Sequence, residues 1–174
     1  MSADGVAGQG EGRWLHAVAG GCELLLDGGR SQHVWAGDVP AGTAEWQGRV
    51  LPAIDLSALL APAPIPAAER GGARTRTLVA YGAGRDDPQA LVLAVDAVRG
   101  LAALPPDAVV GLPPLSAAFG GLFDGIAVAP VEGSYPLCVR RDLDPAVLER
   151  LVATQAARGG GARPGRAAGG GEAR

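Results

Sequence analysis

The stretch WQGRVLPAIDLSALL, residues 46–60, carries the densest fold signal in the chain. Its apolar run RVLPAIDL is typical of a β-strand, and Asp55 or Ser57 can cap the short helical turn SALL that overlaps its end. Pro52 lies inside the run and has no backbone N–H to donate. We therefore expect this strand to lie at a sheet edge or to contain a bulge.

Further strand signals lie on both sides of this stretch. Upstream, WLHAVAG alternates apolar with small or polar residues, and ELLLDGGRSQHVW contains two strand fragments around a hairpin-type turn, Asp27-Gly28-Gly29. Downstream, the candidate strands are RTLVAY, ALVLAVDAV, GLFDGIAVAP and SYPLCVRRDL, and a Pro-Pro-Asp turn begins LPPDAV. Since no helical stretches of 10–15 residues separate these strands, the pattern predicts a small antiparallel barrel or sandwich.

One helix is predicted, over residues 144–157. Asp144 is a typical N-cap residue, and Pro145 fits the first helical position. Apolar residues then recur at helical spacing up to Gly159, which ends the pattern; they are Val147, Leu148, Leu151 and Val152.

The composition divides the chain into two patterned blocks and three segments without a pattern. There are 28 glycines and 14 prolines, but 48% of residues are hydrophobic and only 19% are charged, which excludes a wholly disordered chain. Residues 1–12 and the Arg/Gly-rich tail 158–174 are predicted to be disordered, and residues 61–74 to be a linker. The remaining domain, 13–157, contains half-barrels at about 13–60 and 75–143 and then the helix.

Charge and cysteine content favour a cytoplasmic protein. The net charge is −3, which gives no reason to expect a nucleic-acid partner. No signal peptide is recognised, and no apolar run is long enough to insert into a membrane. Cys22 and Cys138 lie far apart in the sequence and are expected to be reduced thiols.

Motifs for catalysis, metals and cofactors are not found, so the sequence predicts no enzyme, no metal and no cofactor. His16 and His33 have no partner at metal-ligand spacing, and we expect His16 on the outer face of a strand. The glycines of VAYGAGRDD follow a strand, but a phosphate loop needs a Lys and the chain has none. Asp86 and Asp87 are interpreted as a solvated turn pair.

Residues 46–60 resemble a signature of the bacterial chemotaxis coupling protein CheW family, RG-x-V/I-L-P-V-I/V-DL-xx-LL. RTLVAY, ALVLAVDAVRGLAALPPDAV and GLFDGIAVAPVEGSYPLCVRRDLDPAVL are similar, in the same order, to the later strands of that family. The resemblance covers about residues 13–148.

The resemblance implies an all-β fold of two intertwined, five-stranded SH3-like barrels, with the first one shortened. Members of the family are not enzymes; they connect the cytoplasmic tips of chemoreceptors to the regulatory domain of the histidine kinase CheA. The partner-binding residues it implies are Trp46, Gln47, Gly48, Arg49, Val50, Asp55, Asp96 and Val98.

The chain departs from the family pattern at GTAEWQG, where Gln47 replaces an Arg that lies near the receptor-contacting surface in the family. A neutral side chain cannot form a bidentate ion pair there. The short first block implies a lost strand or compressed loops. Trp35 and Trp46 are either binding anchors or core residues.

Several interpretations stay open. Asp55 is expected to cap a helix and Asp96 to bind a turn amide, with partner contact as the alternative for each. The chain could also serve a twitching-motility or other chemosensory-like pathway, or inhibit a kinase by occupying its docking face. A second alternative is a small hydrolase or ligand-binding barrel that uses Asp55, Asp96 and His16.

Overall fold

The computed structural model describes residues 12–38, 42–61, 75–82, 84, 86–112, 121–140, 147, 149–151, 153 and 154. The two predicted disordered segments lie outside this part of the chain, except Gly12, which begins the first strand. The predicted linker 61–74 also lies outside it, except Ala61.

The described residues form eleven strands and little helix. The strands are β1 (Gly12–Ala19), β2 (Cys22–Asp27), β3 (Ser31–Gly37), β4 (Thr43–Trp46), β5 (Arg49–Asp55), β6 (Arg76–Tyr81), β7 (Leu91–Val95), β8 (Ala97–Leu104), β9 (Val109–Gly111), β10 (Phe123–Ala127) and β11 (Leu137–Val139). Helix α1 (Leu56–Leu60) follows β5 directly, and a short 3-10 helix (Pro106–Ala108) precedes β9. The predicted all-β class is confirmed.

The strands form two sheets, and each sheet takes strands from both sequence blocks. The five-stranded sheet has the order β3-β6-β7-β5-β4, and the six-stranded sheet has the order β8-β1-β2-β11-β10-β9. In each sheet the blocks meet at two junctions, one parallel (β5 with β7, β2 with β11) and one antiparallel (β3 with β6, β1 with β8). The pairings within each block are antiparallel. The fold is therefore intertwined, as expected.

Both blocks follow the same path through the two sheets. Each begins with an antiparallel hairpin in one sheet, β1–β2 or β6–β7, and then crosses to an edge of the other sheet, where β3 or β8 lies. The crossings are short, because only residues 28–30 separate β2 from β3 and only Asp96 separates β7 from β8. At the first crossing Gly28 is required for space, since a Cβ there would lie 2.7 Å from the carbonyl oxygen of Arg13.

These crossings correct two predictions. The hairpin predicted around Asp27-Gly28-Gly29 is wrong, because β2 and β3 belong to different sheets. ALVLAVDAV is not one strand, because the chain bends at Asp96 and changes sheet. A turn signal marks where the chain changes direction, and it carries no information about which sheet receives the next strand.

The core consists of one layer between the sheets and one cluster inside the curve of each sheet. Along β7 all five residues are buried: Leu91, Leu93 and Val95 face the central layer, whereas Val92 and Ala94 face the cluster of the five-stranded sheet. In β2, Leu24 and Leu26 likewise face the central layer, whereas Leu25 faces the cluster of the six-stranded sheet. Because both faces of these strands are covered, their sequences are continuous apolar runs.

The first block keeps five strands, so its short length comes from compressed connections. Two residues join β1 to β2, and two join β4 to β5. In the predicted C-terminal helix, the described residues 147, 149–151, 153 and 154 are helical, and Leu151 is buried in the central layer. The predicted N-cap Asp144 lies outside the described residues. Within the described part of the chain, neither this helix nor α1 is long enough to cross a membrane.

Candidate protein-binding surface

The hairpin β4–β5 presents one buried face and one exposed face. Opposite pairs alternate along it: Ala44 with Leu51 is buried, whereas Glu45 with Val50 and Thr43 with Pro52 are exposed. Val50 is 72% exposed, which is unusual for a valine in the middle of a strand. We call the exposed residues Glu45, Gln47, Gly48, Val50 and Pro52 the hairpin face.

The turn of this hairpin consists of Gln47 and Gly48, with φ values of 51° and 76°. Positive φ at both central positions is typical of the two-residue turns that match the twist of a hairpin. Gln47 occupies the left-handed region without being glycine, and its side chain is exposed. The residue that departs from the CheW pattern therefore lies at the tip of the hairpin.

The distal part of the hairpin projects beyond the rest of its sheet. Within β5, Arg49–Pro52 pairs with β4, whereas the pairing with β7 covers only Ala53–Asp55. Pro52 therefore lies just before the part of β5 that pairs with β7, so its missing N–H removes no hydrogen bond to β7. The predicted edge strand or bulge is wrong for β5 as a whole, which lies inside the sheet with an unbroken register, but Pro52 itself has an edge-like position.

Of the two tryptophans considered as binding anchors, Trp46 is a core residue. It is 7% exposed and packs on the buried side of the hairpin with Ala44 and Leu51. It therefore positions the hairpin face and is not part of it. Trp35 is half-buried against the same cluster, and its ring stacks on His33 at 5.6 Å between centroids.

Asp55 and Asp96 are brought together by Arg76, at the opposite end of the five-stranded sheet from the hairpin turn. Asp55 caps α1 by accepting a hydrogen bond from Ala58 N at 3.0 Å, as predicted. Asp96 accepts one from the turn amide of Gly20 at 2.8 Å, also as predicted. Arg76 is 2.8 Å from Asp96 and 3.7 Å from Asp55. This ion-pair cluster is already engaged within the protein.

Val98, the last of the candidate partner-binding residues, lies in β8 of the other sheet and is partly buried against the central core layer. The eight candidates thus divide into a hairpin group (46–50), a charged pair and one packed valine. Only Gln47, Gly48 and Val50 combine exposure with a shared surface, together with half-buried Arg49 at the base of the turn.

His16 corrects another expectation. Its ring is 3% exposed and lies inside the curve of the six-stranded sheet, not on an outer face. Nε2 is 2.7 Å from Oε2 of Glu23, and Nδ1 is 3.7 Å from Oε2 of Glu132. Arg99 approaches both carboxylates, at 3.0 Å for Glu23 and 3.7 Å for Glu132. His16 thus pairs with Glu23, whereas Asp55 and Asp96, the other two residues of the hydrolase alternative, pair with Arg76.

Asp87 corrects the interpretation of Asp86-Asp87 as a solvated pair. Its carboxylate is mostly buried, accepts a hydrogen bond from Gln89 N at 2.8 Å and lies 3.3 Å from Arg30. The guanidinium of Arg30 also lies over the ring of Tyr81, 5.9 Å from its centroid. Arg30 is the last residue of the first sheet crossing, so this contact fixes the crossing to the β6–β7 connection.

The two cysteines are free thiols, and Cys138 is fully buried. Burial, with a smaller contribution from the negative charge of Asp124, raises the pKa of Cys138 from 9.0 to about 11. The thiol is therefore protonated and unreactive near neutral pH. Within the described ranges, no three His, Cys, Asp or Glu side chains are grouped so that they could hold a metal ion.

Comparison with known proteins gives a match in structure and none in sequence. No protein-family model matches the chain, and no curated protein matches its sequence. Among solved structures, the scaffolding protein TtCheW from Thermoanaerobacter tengcongensis is similar, with a TM-score of 0.55 over 75% of this chain and 89% of that chain. The fold is CheW-like. Because the two sequences are 15% identical, this likeness shows the fold alone.

Sequence reasoning missed the basic and acidic partners that hold the described surfaces in place. Arg76 begins a strand, Arg30 ends a turn, and Glu23 and Arg99 are 76 positions apart. No local pattern links them, because they meet only through the sheet crossings. The alternation of buried and exposed positions along β4 and β5 could have predicted that Trp46 is buried and Val50 exposed. The pairing register of the two strands was not available from the sequence.

Proposed function

We propose that this chain is a non-enzymatic adaptor of the CheW type, which connects the cytoplasmic tips of chemoreceptors to the regulatory domain of a CheA-type histidine kinase. The CheW-like fold supports an adaptor at the level of architecture. The observation that carries the proposal is the projecting hairpin face, where Val50 is 72% exposed beside a left-handed Gln47.

An exposed apolar residue on a rigid hairpin is suited to protein docking. The hairpin is anchored from below by Trp46 and Leu51, so its exposed face is preorganised and little conformational entropy is lost on binding. Glu45 and Gln47 surround Val50 with polar groups, the usual arrangement of an apolar centre and a polar rim. Of the two partners, we assign the receptor tip to this face. In the CheW family, the Arg that Gln47 replaces lies near the receptor-contacting surface.

The test is binding of the full chain to a receptor tip fragment and to a CheA-type regulatory domain from the same cell. Val50→Asp should weaken receptor binding by roughly tenfold or more, since a charge would be buried at the centre of the contact. Val110→Asp is the matched control, because Val110 is also an exposed valine but lies in β9 of the other sheet. The kinase domain should bind both variants as it binds the native chain.

Gln47→Arg tests the departure from the family pattern separately. If a neutral residue at the turn weakens the receptor contact, the arginine variant should bind the tip more tightly. The proposal fails if neither fragment binds the native chain, or if Val50→Asp and Val110→Asp have equal effects.

A further inference from the structure

A groove runs along β8 at the edge of the six-stranded sheet, apart from the hairpin face. It has a volume of about 270 Å³ and is lined on one side by Gly100–Leu104 and on the other by Pro130, Val131 and Glu132. His16 also lines it. The groove thus combines an exposed strand with buried His16 and the exposed carboxylate of Glu132.

β8 is a long edge strand with little protection. It is the terminal strand of its sheet among the described residues, and it runs for eight residues, AVRGLAAL, with Arg99 as its one charged side chain. The register with β1 shifts at Arg99, where Ala17 pairs with Val98 but His16 pairs with Gly100. This bulge protects the first half of the strand, whereas Gly100–Leu104 stays regular, and Leu101 is 70% exposed.

The charges beside the groove do not balance. Among the described residues, two carboxylates, those of Glu23 and Glu132, face one guanidinium, that of Arg99. Glu23 is held by short contacts of 2.7 Å to His16 and 3.0 Å to Arg99. Glu132 has only contacts of 3.7 Å, so its carboxylate is the one that can accept another cation.

The backbone presents Glu132 to the groove. Its φ is 48°, in the left-handed region that few residues other than glycine adopt. The turn that holds it is closed by two backbone hydrogen bonds between Val131 and Ser134, at 2.8 and 3.0 Å. The side chain is 60% exposed and lines the groove. An anionic group therefore lines the groove beside an open strand edge.

We propose that this groove binds an extended, basic segment of a partner protein. The main chain of the segment adds to the outer edge of β8 as a further strand, and a Lys or Arg side chain pairs with Glu132. Charge complementarity selects a basic occupant, because the two carboxylates of the cluster face only the guanidinium of Arg99 among the described residues. β8 and the hairpin face belong to different sheets, so this site and the proposed adaptor function can be tested separately.

The test uses the full chain and two blocked, fluorescently labelled peptides, Thr-Val-Thr-Lys-Thr-Val-Thr and the same peptide with norleucine in place of lysine. At pH 8 and low salt, the lysine peptide should bind roughly twofold to fivefold more tightly, as expected for a partly exposed ion pair. Glu132→Gln should abolish this difference. Glu149→Gln, at an exposed position of the C-terminal helix, should preserve it.

One further measurement separates strand addition from simple charge attraction. A lysine peptide with alternate backbone amides N-methylated should bind weakly, because it cannot pair with β8. Equal affinities of the lysine and norleucine peptides for the native chain, or tight binding of the methylated peptide, would each overturn the proposal.

Discussion

Gly20 donates its backbone N–H to Oδ2 of Asp96 at 2.8 Å, although the two residues lie 76 positions apart. The other oxygen of Asp96 accepts a hydrogen bond from Arg76, also at 2.8 Å. Asp96 is the single residue between β7 and β8, and its own N–H donates to Val18 O at 2.8 Å. One carboxylate therefore connects the β1–β2 turn, the second sheet crossing and the start of β6.

Asp96→Ala should lower the free energy of unfolding by about 1–2 kcal/mol, because Gly20 N–H and Arg76 both lose their acceptor. Asp96→Asn keeps an oxygen for Gly20 and should lose about half as much. Urea denaturation of both variants measures the difference, with Asp86→Ala as a control at an exposed turn carboxylate. If Asp96→Ala and Asp86→Ala have equal effects, the connection does not contribute to stability.

Gly20→Ala should be more destabilising than Gly21→Ala. Both glycines have positive φ, at 57° and 81°, so alanine at either position has a backbone penalty of about 1 kcal/mol. Only at Gly20 would the added Cβ collide with the protein, at 2.7 Å from Ala61 N and from Ser57 O. Thermal unfolding should therefore show a larger loss of stability for Gly20→Ala than for Gly21→Ala. Equal losses of stability would mean that the backbone of α1 shifts readily to accommodate the added Cβ.

Val50→Asp should leave the fold intact, whereas Leu51→Asp should prevent stable folding. The two residues are neighbours in β5, but Val50 is 72% exposed and Leu51 is 3% exposed. Burying an unpaired carboxylate at Leu51 costs several kcal/mol, comparable to the total stability of a small domain. Circular dichroism and urea titration make the comparison. A destabilised Val50→Asp variant would show that its side chain is covered in solution.

Cys138 should resist alkylation in the folded protein. Burial, and to a smaller extent Asp124, raises its pKa to about 11, so the reactive thiolate is scarce at pH 8. Cys22, which is only half-buried, should react first with iodoacetamide, as followed by mass spectrometry. Equal labelling rates for the two thiols in the native protein would contradict the buried position of Cys138.

The raised pKa of Cys138 also predicts how the stability of the fold changes with pH. The folded pKa of Cys138 lies above the unfolded value of 9.0, so the native state binds the thiol proton more tightly. The corresponding stabilisation is complete below about pH 9 and is lost as the pH rises towards about 11. A Cys138→Ala variant should show a smaller loss of stability over this range than the native chain.

The strands and the local caps could be predicted from the sequence, because they depend on neighbouring residues. β1, β6 and β10 follow their apolar patterns, and Asp55 caps α1 as its position before SALL indicates. Asp96 binding a turn amide could also be anticipated, because an isolated carboxylate in an apolar strand requires a donor.

The sheet assignment of each strand could not be predicted in the same way. The turn at Gly28–Arg30 has the composition of a hairpin, yet it carries the chain to the other sheet, where β3 pairs with β6. The register that exposes Val50 and buries His16 follows from these long-range pairings. That residues 46–50 bind a partner stays a prediction; the structure separates the buried members of this stretch from the exposed ones.

The double crossing makes each half of the chain the scaffold of the other. Without β6 and β7, β3 has no neighbouring strand and the β4–β5 hairpin stands alone; without β1 and β2, β8 is cut off from β11 in the same way. We therefore expect that neither half of the chain folds stably by itself, because each would lack the strands that complete its sheets.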